Sequence, residues 1–293
     1  MKFTSQHANS SKKTGFRSRF QALSGKLFDE ALYDLVFSLA ASIAESRQSV
    51  PLLISISGGQ GSGKSTVTKL LAAVLVECFS RSTVILSLDD FYLQRSKRER
   101  LARKVHPLLV VRGVPGTHDL ALLADVIAGL KSGSGAKVPQ FDKARDDRLP
   151  EVLSLPAAQV ILCEGWCWGA VPEPESRLLA ATNELERNFD PDCVWRQFVN
   201  QQLASYQSVF MADGFIFFQV PSFEAVFRWR WQQEVELAGS QTGGQRVMSE
   251  DEVREFISYY ERLTRWMLEE MPGRADVIVH LNEHHRIQTT QYR

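Results

Sequence analysis

Residues 52–79 hold three features in a row: an apolar run Leu52-Leu53-Ile54-Ser55-Ile56, the segment Gly58-Gly59-Gln60-Gly61-Ser62-Gly63-Lys64-Ser65, and an apolar-periodic stretch over 67–79. Nothing else in the sequence limits the fold so tightly. The middle segment fits G-x-x-x-x-G-K-[ST] without a mismatch. At average residue usage such a match arises in roughly one chain in a hundred of this length, so the flanking strand and helix patterns must carry the case. Here both are present. Glycines let the backbone curl with its N–H groups inward, and a helix starting near Lys64 adds the positive end of its dipole. The expected phosphate cradle is Gly58, Gly59, Gln60, Gly61, Ser62, Gly63, Lys64, Ser65 and Thr66. Lys64 would reach the β- and γ-phosphates of ATP, and the Ser65 hydroxyl would ligate Mg²⁺. A turn that merely capped a helix would leave the Lys-Ser pair at this offset unexplained.

Apolar residues recurring at three and four from Leu27 predict an amphipathic helix over 27–44. Short apolar runs at 84–88, 160–163, 215–218 and 277–279 predict four further strands, and residues 118–130 read as a helix. Strands alternating with helices imply an α/β three-layer fold of the P-loop NTPase kind: a parallel five-stranded sheet with helices on both faces. Residues 172–210 carry few strand signals and read as a helical insertion. One domain over 25–293 is therefore expected. Residues 1–24 are polar, basic and faintly like a transit peptide, but a flexible tail is the simpler reading.

Composition excludes more than it identifies. Lys plus Arg and Asp plus Glu number 34 each, so no bulk field attracts nucleic acid or anionic membrane. No apolar run approaches the roughly 18–20 residues that cross a bilayer. Cys78, Cys163, Cys167 and Cys193 form no C-x-x-C pair, which fits reduced thiols in a cytoplasmic protein. A monomer or small homo-oligomer acting on a small molecule is expected.

In a parallel sheet, ligands bind beyond the carboxyl ends of the strands. Asp89 follows the second strand and Glu164 closes the third, so both carboxylates fall on the edge that carries the glycine loop. Phosphoryl transfer needs one carboxylate to accept the proton of the attacking hydroxyl and one to help hold the metal. Asp89 is assigned the first role and Glu164 the second. Two structural readings compete: Asp89 or Asp90 as N-cap of a helix through residues 94–104, and Glu164 in a structural ion pair.

The glycine loop, Ser87-Leu88-Asp89-Asp90-Phe91-Tyr92 and Leu162-Cys163-Glu164-Gly165-Trp166 together resemble the phosphoribulokinase, uridine kinase and pantothenate kinase superfamily. Arg112-Gly113-Val114-Pro115-Gly116-Thr117-His118-Asp119, Val138-Pro139-Gln140-Phe141-Asp142-Lys143 and Phe227-Arg228-Trp229-Arg230 are similar to its D-glycerate 3-kinase branch. The resemblance implies ATP, Mg²⁺ and phosphorylation of the 3-hydroxyl of D-glycerate. It implies an acceptor site from Arg112, His118, Asp119, Asp142, Lys143 and Arg148, the cations clamping a carboxylate. It also implies a lid over 221–248 whose Arg228 and Arg230 take part in catalysis. After Lys143 the chain departs from that branch: Ala144-Arg145-Asp146-Asp147-Arg148 stands where relatives have a longer, glycine-containing loop.

Arg228 and Arg230 are two apart, so on one helix they point about 200° from each other and cannot both face one phosphate. One of them can instead pair with Glu234, four residues past Arg230. Trp229 and Trp231 read as packing residues. Ser249-Glu250-Asp251-Glu252 is a capping box opening a helix with a stripe of Val253, Phe256, Ile257, Tyr260 and Leu263. Two further readings stay open: a kinase of this superfamily for pantothenate, a nucleoside or a sugar, and a P-loop NTPase switch in which Asp89 positions water.

Overall fold

Among the described residues, six strands form the main sheet in the order β2-β5-β1-β6-β7-β8: β1 (Leu52–Gly58), β2 (Thr83–Ser87), β5 (Val160–Gly165), β6 (Gly214–Gln219), β7 (Val277–Leu281) and β8 (Ile287–Tyr292). The structure is a computed structural model that describes residues 1–4, 10–25, 28–46, 51–239 and 247–293. The first five strands run parallel, and β8 pairs antiparallel with β7 at the edge. The five-stranded expectation is thus corrected to six. Polar Gln288, Thr289 and Gln291 hide β8 from a search for apolar runs, as is usual for an edge strand with one solvated face.

Alternate residues of β1 feed the two faces. Leu52, Ile54 and Ile56 pack toward a core shared with α1 (Ser10–Ser24), α2 (Glu30–Ala44), α3 (Lys64–Phe79) and α9 (Phe223–Gly239). Leu53 packs on the other side with α5 (Leu120–Lys131), α8 (Val194–Tyr206) and α10 (Glu250–Glu270). Burial on both faces explains why these strands read as near-continuous apolar runs. The capping box at Ser249 is formed as expected: its side chain accepts from the Glu252 N–H and Glu252 accepts from the Ser249 N–H.

The expectation of a flexible tail over 1–24 is corrected for its described part. Residues 10–24 form α1, and Phe16 and Phe20 bury against Tyr33 and Phe37 of α2. Lys13 pairs with Asp34, and Arg17 with Glu30. Two phenylalanines four apart make a stripe one residue wide, enough to dock a helix but too little to lift a polar segment's average. Residues 5–9 and Leu27 lie outside the described residues.

A hairpin absent from the sequence reading stands apart from the sheet: β3 (Ala136–Asp142) and β4 (Asp147–Leu155) pair antiparallel, with a register shift between Pro139 and Phe141. Pro139 and the mostly exposed face of β4 mask the strand signal. Residues 172–210 hold α6 (Glu175–Leu178), α7 (Glu184–Phe189) and α8. Among the described residues no helix is long and apolar enough to cross a membrane.

Candidate active site

The register aligns the strand ends. Ser87 of β2 lies beside Glu164 of β5, which lies beside Ile56 of β1, two residues before Gly58. The glycine loop follows at once, and α3 starts at Lys64. Two glycines are required by geometry. A Cβ on Gly58 would sit 2.7 Å from the Phe218 Cβ and 2.8 Å from its carbonyl oxygen. Gly61 adopts φ 76°, and a Cβ there would press on Trp229 at 3.1 Å. Inside the loop the buried Ser62 hydroxyl has no hydrogen-bond partner among the described residues. A buried donor left open in a ring of backbone N–H groups suits an anion.

Glu164, 8% exposed, accepts from two hydroxyls, Ser65 at 3.1 Å and Ser87 at 2.7 Å. Among the described residues it has no ion-pair partner. Mg²⁺ characteristically takes one or two protein oxygens and leaves its other positions to phosphates and water. The adjacent Ser65 hydroxyl and Glu164 carboxylate fit that demand.

Asp89 sits in a 3₁₀ turn over Leu88–Phe91, immediately after β2. Its Oδ1 accepts from the Tyr92 hydroxyl and its Oδ2 from the Lys143 ammonium, each at 2.6 Å. Burial pushes this carboxyl up, but the charge and hydrogen bond of Lys143, the Tyr92 hydroxyl and the Lys64 charge outweigh it, so the carboxyl lies below its usual range. Asp90 behaves in the opposite way. Burial raises it, and its Oδ1 faces the Phe141 N–H at 3.4 Å, toward the hairpin. Neither caps α4 (Arg95–Lys104); Asp147 does, accepting from the Arg95 N–H at 3.1 Å.

The hairpin turn carrying Lys143 is pinned from several sides. Asp142 accepts from the N–H groups of Ala144 and Arg145 at 2.8 and 3.1 Å. Asp146 adopts φ 56°, the conformation a glycine would take without cost. It is held by the fully buried Arg98 at 2.9 Å and by Arg112. Arg112 also lies over the Phe141 ring, and its Nη2 donates to the Lys143 carbonyl at 3.4 Å.

The remaining acceptor-site expectations divide. Arg148 is 11% exposed and all three guanidinium nitrogens are engaged: Nε on the Tyr92 carbonyl at 2.7 Å, Nη2 on the Phe91 carbonyl at 3.1 Å, and Nη1 on Asp119 at 3.2 Å. It braces the turn that presents Asp89, which commits three of its five N–H donors to the protein itself. Asp119 caps α5, its Oδ1 facing the Leu122 N–H at 3.4 Å. His118 is buried, stacks near Tyr92, and meets the Tyr206 hydroxyl through Nδ1 at 2.8 Å. Burial lowers it to about 3, so it is neutral at ordinary pH and is not a cation of a carboxylate clamp.

On α9, Arg228 pairs with Glu283 and Arg230 with Glu234, on different sides of the helix. Trp229 between them is buried, donates from Nε1 to the Glu283 carbonyl at 3.0 Å and meets the His285 ring edge-on at 3.9 Å. It packs against the glycine loop, the role read from sequence. The lid expected over 221–248 begins with α9; residues 240–246 lie outside the described residues. Arg262 of α10 is engaged by Glu173 and Glu186 of the inserted segment at 3.0 and 2.7 Å. The sequence reading missed Tyr92 and Ser87 as partners of the two carboxylates. Their positions, three residues after Asp89 and at the β2 terminus, were the available signal.

Residues 53–178 match the phosphoribulokinase / uridine kinase family. Over 248 residues the chain is 33% identical to the uncharacterized kinase mug58 of Schizosaccharomyces pombe, covering 80% of this chain and 86% of that protein. The chain belongs to the phosphoribulokinase / uridine kinase family. As a P-loop kinase of that family, it is also similar to a pantothenate kinase of Streptococcus gordonii, 27% identical over 141 residues that span 48% of this chain and 45% of that one. Among solved structures, D-glycerate 3-kinase from Cryptococcus neoformans superposes with a TM-score of 0.74 at 27% identity, covering 91% of this chain and all of that one.

Proposed function

We propose that this kinase transfers the γ-phosphate of ATP to the 3-hydroxyl of D-glycerate, giving 3-phosphoglycerate and ADP. The observation that carries the reading is the Asp89–Lys143 pair at the strand edge that bears the glycine loop. A base for a hydroxyl lies directly beside a cation for a carboxylate, and D-glycerate carries both groups on three carbons. The likeness to a solved D-glycerate 3-kinase supports it.

The loop N–H groups and Lys64 hold the β- and γ-phosphates and offset the charge that builds on them. Bound at Ser65 and Glu164, Mg²⁺ would add charge neutralisation at the same oxygens. Tyr92, whose phenol burial keeps well above its usual range, stays a donor and fixes the orientation of Asp89. Asp89 accepts the proton as the 3-hydroxyl oxygen bonds to the γ-phosphorus and the bond to ADP breaks. One lid arginine, Arg228 or Arg230, must leave its present carboxylate partner to reach phosphate. Arg228, half-exposed, is the freer of the two.

A pantothenate reading is favoured by one finding, the partial likeness to a pantothenate kinase. ADP release measured across D-glycerate, pantothenate, nucleosides and sugars separates the two. The highest kcat/KM is expected for D-glycerate; a higher value for pantothenate or for an uncharged alcohol would refute the proposal.

A further inference from the structure

We infer that Lys143 is a transferable counter-ion: it masks Asp89 while the acceptor site is empty and leaves it for the carboxylate of an arriving acceptor. The inference deepens the reading above by making an anionic acceptor the condition for an active base.

The backbone at Lys143 is fixed by the Asp142 turn, by Arg112 on its carbonyl and by Asp146 held between Arg98 and Arg112. Its side chain can pivot, being 62% exposed and, among the described residues, bonded at its tip to Asp89. Tyr92 occupies the other oxygen of Asp89. Both carboxylate oxygens of Asp89 are therefore engaged, and the one facing the ammonium is the weaker proton acceptor for it.

The lysine end of the pair lies in solvent while Asp89 is half-buried, so a second carboxylate reaching the ammonium from the solvent side can compete for it. The alternatives nearby cannot play this part. Arg148 is 11% exposed and held by Tyr92, Phe91 and Asp119, His118 is neutral, and Arg112 is paired with Asp146. An uncharged alcohol would offer Lys143 nothing in exchange for Asp89.

Two reactions share the base. In transfer, the acceptor's hydroxyl proton goes to Asp89 as its oxygen bonds to the γ-phosphorus and ADP leaves. In wasteful hydrolysis, the proton comes from water and inorganic phosphate is released with ADP. Masking Asp89 suppresses the second while the acceptor is absent.

The test measures ATP hydrolysis without acceptor in the full chain and in Lys143→Met, which keeps the length and removes the charge. Background hydrolysis should rise roughly tenfold in the variant, a fraction of the 10²–10⁴ that a positioned base contributes. The variant's KM for D-glycerate should rise roughly ten- to a hundredfold through loss of a charge-assisted hydrogen bond. D-lactate, which keeps the carboxylate and 2-hydroxyl of D-glycerate but lacks the 3-hydroxyl, is the second probe. It should stimulate hydrolysis in the unaltered chain and leave Lys143→Met unmoved. The lactate measurement on the unaltered chain stands even if the variant folds poorly. Unchanged background hydrolysis in a folded Lys143→Met would overturn the inference. So would a chain that phosphorylates D-glycerate yet ignores D-lactate. If D-glycerate proves not to be the acceptor, the function reading fails, while the background-hydrolysis comparison still decides the masking.

Discussion

On the phosphate side of the site, strand ends set the frame: Gly58 closes β1 and opens the glycine loop into Lys64 of α3, beside Ser87 of β2 and Glu164 of β5 in one parallel register. On the acceptor side, Lys143 belongs to a two-stranded hairpin outside that sheet, tied down by Arg98 and Arg112 through Asp146. Arg148 at the start of β4 ties the same hairpin to the turn that carries Asp89. The first region is positioned by backbone ladders that tolerate little choice of side chain. The second is positioned by side chains, and so is free to differ between kinases that share the first.

The sharpest way to break this division is at the joint between the two regions. Asp89→Asn should lower kcat by about 10²–10⁴ while the KM for ATP holds, because an amide cannot take the hydroxyl proton. Asp90→Asn, which only loosens a contact to Phe141, should be far milder. Steady-state kinetics of the pair checks this, and reversed effects would mean that the neighbouring carboxylate serves as base.

Lys64→Ala strikes the phosphate side alone. Turnover should fall by roughly 10²–10³, as when a preorganised charge-stabilising donor is deleted, with little change in the KM for D-glycerate. Near-normal turnover would remove the glycine loop from the chemistry.

Arg112 and Arg148 sharpen the comparison, because sequence treats them alike and structure does not. Arg112→Ala loosens the turn under Lys143 and should raise the KM for D-glycerate about tenfold, a charge-assisted hydrogen bond's worth. Arg148→Ala should instead lower kcat and the melting temperature, since it removes three bonds that tie the Asp89 turn to Asp119 and takes from the Tyr92 carbonyl its guanidinium donor.

How much could be read without coordinates follows the same line. The glycine loop, Asp89 and Glu164 were legible because their signals are local: a motif between a strand and a helix, and carboxylates at strand ends. The fold was legible from apolar runs except at β3, β4 and β8, where exposure and Pro139 remove that signal, and at α1, whose docking stripe is two phenylalanines in a polar segment. The role of Arg148 was not legible, because its carbonyl partners lie 56 and 57 residues away. Nor was the state of His118, which depends on burial and on Tyr206, 88 residues along the chain. Ion pairs and desolvation across such separations have no counterpart in residue spacing.

His118 also gives the smallest expected effect. Its imidazole falls from an ordinary value of 6.5 to about 3 on folding, so the unfolded chain binds the extra proton between those values. Its contribution to stability is full above about pH 6.5 and is lost progressively as pH falls toward 3. Melting temperature should therefore decline through that window, and less steeply in His118→Gln.

The central claim is that a generic phosphate edge is joined here to an acceptor site for a small hydroxy acid. Carbon and phosphorus NMR of the product formed from ATP and D-glycerate tests it most directly. The account predicts phosphate on the 3-oxygen, with one ADP released for each 3-phosphoglycerate formed. Phosphate on the 2-oxygen, or no turnover of D-glycerate by a preparation that phosphorylates an uncharged alcohol, would contradict it.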